Sequence, residues 1–183
     1  MIDNVKALIL GMLMLGALVA CEPNTKQQKK EINEPTQTSI KKINFDEFKS
    51  RLEQKNDTIY VYNFWATWCK PCIAELPYFE QLNQQYAKQK VKVVLVSLDF
   101  PSIINTKLVP FVEKQQLKSE VLVLDAGNPN EWIDKISENW TGAIPASLFV
   151  YNPINYYELF EQTFTYETLC EVIDPIIAHK KTP

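Results

Sequence analysis

The stretch "FWATWCKPC", from Phe64 to Cys72, sets two thiols three positions apart straight after an apolar run. Cysteines at that spacing suit three chemistries: a dithiol–disulfide couple, half of a metal site, or a short structural staple. A zinc site needs further ligands, and beyond this pair only Cys21, Cys170 and the single histidine, His179, remain. A staple closing so small a loop removes little freedom from the unfolded chain and so stabilises little. The redox reading accounts for the surroundings too. A strand ending at Ala66 and a helix starting near Pro71 would put Cys69 at the helix N-terminus. Unpaired amides and the positive dipole end there favour a thiolate, with Lys70 adding a weak positive charge. Cys72, one turn in, is expected to be buried and protonated. Cys69 would then be the exposed nucleophile and Cys72 the resolving thiol, the asymmetry that disulfide exchange requires.

The elements that position the pair follow from patterning. "NFDEFKSRLEQ" sets Phe45, Phe48 and Leu52 at helical spacing behind Asn44, a good N-cap. "TIYVYNFWA" is a β-branched and aromatic run apolar enough for a strand buried on both faces. From Pro71 a longer periodic segment carries Ile73, Leu76, Phe79, Leu82 and Tyr86, with a bend expected at Pro77. "VKVVLVSLD" and "VLVLD" are further strands, separated by a helix through Phe111, Val112 and Leu117. A short helix is expected over Asn130 to Glu138. "ASLFVY" and "YYELFEQ" form a hairpin around "NPIN", and a last helix runs from about Thr165 to His179. Strands alternating with helices predict an α/β sandwich whose mostly parallel sheet ends in an antiparallel hairpin.

Around this domain, composition bounds the rest. The chain has 183 residues, 46% of them hydrophobic and 22% charged, with a net charge of −3. These are globular values, and without a basic stripe nucleic acid is not an expected partner. Lys6 precedes the apolar run "ALILGMLMLGALVA", too short to span a bilayer comfortably but suited to a signal peptide. Its ending, Leu18-Val19-Ala20-Cys21, resembles the bacterial lipobox, which implies cleavage before a lipidated Cys21. The polar segment "EPNTKQQKKEINEPTQTSIKK" cannot bury enough surface to order itself. As a flexible coil it would reach on the order of 25 Å. The expected organisation is a lipoprotein signal peptide over 1–20, a tether over 21–42 and a folded domain over 43–183, held at a membrane.

"FWATWCKPC" resembles the active site of the thioredoxin superfamily, and "WCKPCIAELPYFEQL" resembles its TlpA/ResA-like branch of membrane-tethered thiol-disulfide oxidoreductases. In that branch a glutamate often follows the second cysteine by three residues and a proline by five, here Glu75 and Pro77. "WTGAIPASLFV" resembles the superfamily's cis-proline segment, which implies a cis Ile144–Pro145 bond against the cysteines. The resemblance implies a three-layer thioredoxin-like sandwich, with a central mixed sheet flanked by helices and an inserted helix and strand before the proline loop. It implies Cys69 and Cys72 as catalytic thiols, with Trp68, Lys70, Pro71, Ile144 and Pro145 at the substrate. It implies no cofactor or metal. The partners would be exported protein disulfides and a membrane thiol-electron donor of the DsbD/CcdA kind, with cytochrome c maturation one duty.

Glu75 shares a helix face with Cys72, and a carboxylate partly buried there would have a raised pKa and could move protons. Thioredoxins proper carry an aspartate where this chain has Asn63, so proton transfer falls to Glu75. Trp65 reads equally as core or as part of an apolar collar, whereas Trp68 is the better exposed contact. Cys170 reads as a buried small hydrophobe. The usual N-terminal β-hairpin of the branch is missing, since the tether runs almost directly into "NFDEF". A thiol oxidase and a non-catalytic adaptor are the rival functions.

Overall fold

Strand β2, Ile59–Trp65, is the spine of the computed structural model, which describes residues 40–180. Its alternation feeds two cores at once. Ile59, Val61 and Trp65 enter one cluster, while Tyr62 and Phe64 enter the other. A strand with apolar residues on both pleats is stable only between two layers, so helices must cover each face.

The other elements are β1 Ile40–Ile43, α1 Phe45–Leu52, α2 Lys70–Gln85, β3 Val91–Ser97, α3 Val109–Gln115 and β4 Glu120–Leu124. They are followed by α4 Ile133–Ile136, β5 Ala146–Tyr151, β6 Tyr156–Phe160 and α5 Tyr166–Lys180. The sheet order is β1-β4-β3-β2-β5-β6. β1, β4, β3 and β2 run parallel, while β5 and β6 are antiparallel additions. The expected α/β sandwich with a mixed sheet is therefore the observed one.

Phe79 and Leu82 of α2 pack with Leu169, Ile173 and Ile176 of α5 against one face. Phe48 and Leu52 of α1 join Trp132, Ile136 and Trp140 on the other. Each such buried side chain contributes roughly 1.5–3 kcal/mol relative to exposure. The α1 start has the expected cap: Glu47 N–H donates to Asn44 Oδ1 at 2.9 Å, and Asn44 N–H donates to Glu47 Oε2 at 3.0 Å. α2 continues past Pro77 to Gln85. The hairpin turns at Asn152–Ile154 and Asn155, which has φ 55°.

The folded domain starts earlier than the expected Ile43. "IKKI" is β1, paired with β4 from Ile40↔Val121 to Ile43↔Leu124, so a strand does precede α1. Its two lysines break the apolar alternation that marks a strand in a sequence, and the pairing is held by backbone. The expected signal peptide, Cys21 and nearly all of the tether lie outside the described residues. Among those described, no helix is long and apolar enough to cross a membrane.

Candidate active site

β2 delivers the chain to a tight turn. Cys69 N–H donates to Ala66 O at 3.0 Å, and α2 begins at once, with Cys69 as its N-cap and Pro71 in its first turn. Proline fits there because the first helical amides have no partner inside the helix. Cys69 Sγ accepts from the Cys72 amide at 3.3 Å. The two cysteines are joined as a disulfide, their Cα atoms 5.3 Å apart.

The turn is tied from beneath by the end of β3. Asp99, 2% exposed, accepts from Thr67 N–H at 3.0 Å and from Thr67 Oγ1 at 2.7 Å, and Ser97 Oγ donates to it at 2.9 Å. Nothing in the apolar pattern singles out this strap. Its only sequence signal is a polar Asp at the end of a buried strand.

From the opposite side comes the loop before β5. The Ile144–Pro145 bond is cis, as expected, and Ile144 O lies 3.8 Å from Cys69 Sγ. The loop is held at several points. Trp140 Nε1 donates to Ala143 O at 2.9 Å, while Glu161 accepts from Thr141 N–H at 2.8 Å and from its hydroxyl at 2.7 Å. Gly142 between them has φ +88°, a conformation that L side chains rarely adopt.

About one helical turn beyond Cys72 on α2 lies a buried polar network. Glu75 is 2% exposed, and its carboxylate accepts from Asn63 Nδ2 and from Phe164 N–H, each at 2.8 Å. Asn63 also donates to Ser147 Oγ at 3.1 Å, its register partner across β2 and β5. Burial disfavours the charged carboxylate and outweighs both donors, so the pKa of Glu75 is pushed up from 4.5 to about 7. The expected raised pKa is thus present, with a partner that the sequence did not disclose. The signal was there: an amide inside "YVYNFWA" has to find hydrogen bonds once buried.

Two expectations change, for Cys69 and for Cys170, and the open reading of Trp65 resolves to core. Cys69 is not exposed; its disulfide form is 5% accessible, because the turn and the Ile144 carbonyl close over it. Trp65 forms no collar. It is fully buried in the core, packed on Phe111 with ring centroids 5.4 Å apart. Cys72 is fully buried, Trp68 is 59% exposed and Lys70 is exposed, while Pro145 is buried beside Ile144. Cys170 is half-buried rather than buried, next to the hydroxyls of Tyr86 and Tyr166. No cluster of three or more metal-ligating side chains occurs among the described residues.

Comparison with known proteins agrees with this geometry. Residues 27–153 match the model of the AhpC/TSA family. The chain is 30% identical over 109 residues to the thiol-disulfide oxidoreductase ResA of Bacillus thuringiensis subsp. konkukian, covering 56% of this chain and 57% of the relative. To the ResA of Oceanobacillus iheyensis it is 42% identical over 72 residues, covering 39% of this chain and 33% of the relative. These matches span from a third to just over half the length of the curated relatives. The fold is also that of a thioredoxin-related protein from Neisseria meningitidis serogroup B. That comparison gives a TM-score of 0.57 at 21% identity, over 69% of this chain and 88% of that one.

Proposed function

This chain belongs to the AhpC/TSA family of thioredoxin-like proteins, and on that premise we propose that it is a thiol-disulfide oxidoreductase working outside the cytoplasm as a reductase of exported protein disulfides. One observation carries the reading: the Cys69–Cys72 disulfide caps α2 with the carbonyl before a cis-proline 3.8 Å from Cys69 Sγ and a buried carboxylate one turn further along the helix.

In the reduced protein, the Cys69 thiolate attacks one sulfur of the substrate disulfide. A mixed disulfide forms, and the first substrate sulfur leaves as a thiolate that takes up a proton. Cys72 then loses its proton, with Glu75 as the acceptor, and attacks Cys69 Sγ. The second substrate thiol is released and the Cys69–Cys72 disulfide closes. Two electrons pass to the substrate, and the oxidised protein must be reduced again by an external dithiol. A membrane thiol donor of the DsbD/CcdA kind suits that requirement.

The Cys72 amide that bonds Cys69 Sγ would stabilise the attacking thiolate. Ile144 offers its backbone to an incoming peptide, and Pro145 shapes that edge. Trp68, Lys70 and Pro71 form the rim next to the nucleophile. Lipidation at Cys21 and the tether would hold the domain at a membrane, with the oxidised haem-binding cysteines of exported apocytochrome c one target.

Insulin reduction tests the reading. The wild type is expected to reduce insulin with dithiothreitol as electron source, and Cys69→Ser to be inactive. Equal activity in both would end the catalytic reading and leave a binding module. Cys72→Ser in cells should trap substrates as mixed disulfides on Cys69. A reduction potential near that of thioredoxin, about −270 mV, fits a reductase; one near −120 mV would make the protein an oxidase instead.

A further inference from the structure

A cleft of about 370 Å³ opens beside the active-site turn, lined by Thr67, Trp68, Lys107, Pro110, Phe111 and Lys114. The last four recur at three- and four-residue spacing through the π-turn Ile104–Leu108 and α3, so they form one stripe. The floor is firm, because Phe111 rests on the buried ring of Trp65. The opposite wall is the exposed indole of Trp68, adjacent in sequence to Cys69. Thr67 is locked by Asp99, so the cleft keeps a fixed place relative to the disulfide.

Charge distinguishes this cleft from an ordinary surface furrow. Among the described residues neither Lys107 nor Lys114 forms an ion pair. Two exposed ammonium groups outside any ion pair bracket an aromatic floor on a chain whose net charge is −3. An aromatic or aliphatic side chain can stack on Phe111 and Trp68 while carboxylates meet the two lysines.

We infer that this cleft receives the substrate segment adjoining the target cysteine, and that it selects acidic residues flanking an apolar side chain. The inference rests on the reading of Cys69 and Cys72 as a disulfide-exchanging pair. Ile144 O lies 3.8 Å from Cys69 Sγ, and Trp68, the residue before Cys69, lines the cleft, so a chain whose sulfur reaches Cys69 passes near both. A polypeptide therefore fits the site better than an anionic bilayer, which would have no reason to engage the sulfur. Rim charges of this kind act chiefly on encounter rate and on its salt dependence.

The test uses the reduced full-length protein with matched disulfide peptides, each carrying one apolar residue beside the cysteine and acidic, neutral or basic residues around it. At low salt the acidic peptide should be reduced about tenfold faster than the basic one, and the gap should close in high salt. The double variant Lys107→Glu, Lys114→Glu should reverse the ranking within its own peptide series. Hydroxyethyl disulfide separates the two readings. A wild type that cannot reduce it sinks the redox assignment itself. Equal rates for acidic and basic peptides, in a wild type that does reduce it, overturn only the cleft. Binding of the wild type to phosphatidylglycerol vesicles, lost on charge reversal and with no peptide ranking, would overturn it in favour of a membrane.

Discussion

Asn63 on β2 donates through Nδ2 to Oε1 of Glu75 on α2 at 2.8 Å, inside a domain where both side chains are almost wholly buried. The bond joins the central strand to the helix that carries the two thiols. The amide oxygen of Asn63 is buried too and accepts no hydrogen bond among the described residues. Glu75 is therefore held by donors that favour its charge, in a place where burial opposes it.

That opposition makes stability depend on pH. Glu75 has a folded pKa of about 7 against an ordinary 4.5. An acid whose pKa rises on folding gives its full contribution below the unfolded value and loses it as pH climbs through the folded one. The wild type should therefore lose stability between about pH 4.5 and 7, on the order of 3 kcal/mol from this group alone. Urea unfolding of the oxidised protein at pH 5 and pH 8 measures the loss. Glu75→Gln should remove most of it; parallel losses in both proteins would show that Glu75 is not its source.

The same carboxylate gives the chemistry a pH signature. If ionised Glu75 takes the proton from Cys72, closure of the mixed disulfide accelerates as pH rises through about 7. In Glu75→Gln that limb should vanish, with closure slowed about a hundredfold at pH 8. Rapid quenching and mass analysis of the mixed disulfide would follow the step. An unchanged profile would assign the proton to solvent.

Asn63→Asp would set a second carboxylate 2.8 Å from the first. Two carboxylates so close share a proton and titrate as a pair, with the upper midpoint pushed higher. The pH-dependent loss of stability should then extend above pH 7. Asn63→Ala removes the donor that favours ionisation and should move the midpoint the same way, by a smaller step. A midpoint that falls in either variant would contradict this account.

How far the sequence discloses this site depends on the kind of interaction involved. Phe48, Leu52, Phe79 and Leu82 announce their helices through period, because a buried stripe is a local pattern. Cys69 and Cys72 are legible as a thiol pair because their spacing and residue type suggest that chemistry directly, whereas the cis bond before Pro145 is expected through the resemblance of "WTGAIPASLFV". Asp99 with Thr67, Glu161 with Thr141, and Asn63 with Glu75 are not legible. Each joins residues 12 to 32 positions apart through hydrogen bonds that only the folded path brings together. β1 was hidden for a related reason: Lys41 and Lys42 face solvent, and its pairing with β4 is a backbone matter that side-chain pattern does not report.

The Asp99 strap should matter for turnover more than its distance from the sulfurs suggests. Asp99→Ala leaves Thr67 N–H and Oγ1 without their acceptor at the turn that presents Cys69. Losing charge-assisted bonds at a buried site costs roughly 1.5–3 kcal/mol. The expected variant is folded, less stable by that amount in urea, and slower with insulin. Its exchange with a small disulfide should suffer less, since a small molecule needs less of a fixed rim. Equal losses for the two substrates would place the effect in the thiols rather than in the turn.

Gly142 offers the last test, because the loop before Pro145 turns there through a backbone conformation that L side chains rarely adopt. At φ +88° an alanine is strained, and its Cβ would come within 2.8 Å of Ile133 Cδ1. That atom is the far end of a flexible side chain and can move aside, so the backbone sets most of the cost, about 1–3 kcal/mol. The strain falls within the segment between Trp140 and Ala143 whose hydrogen bonds support the Ile144 carbonyl. Gly142→Ala should therefore lower stability by that amount and raise KM for a peptide disulfide more than it lowers kcat. A fall in kcat alone, with KM unchanged, would show that the loop does not position substrate backbone.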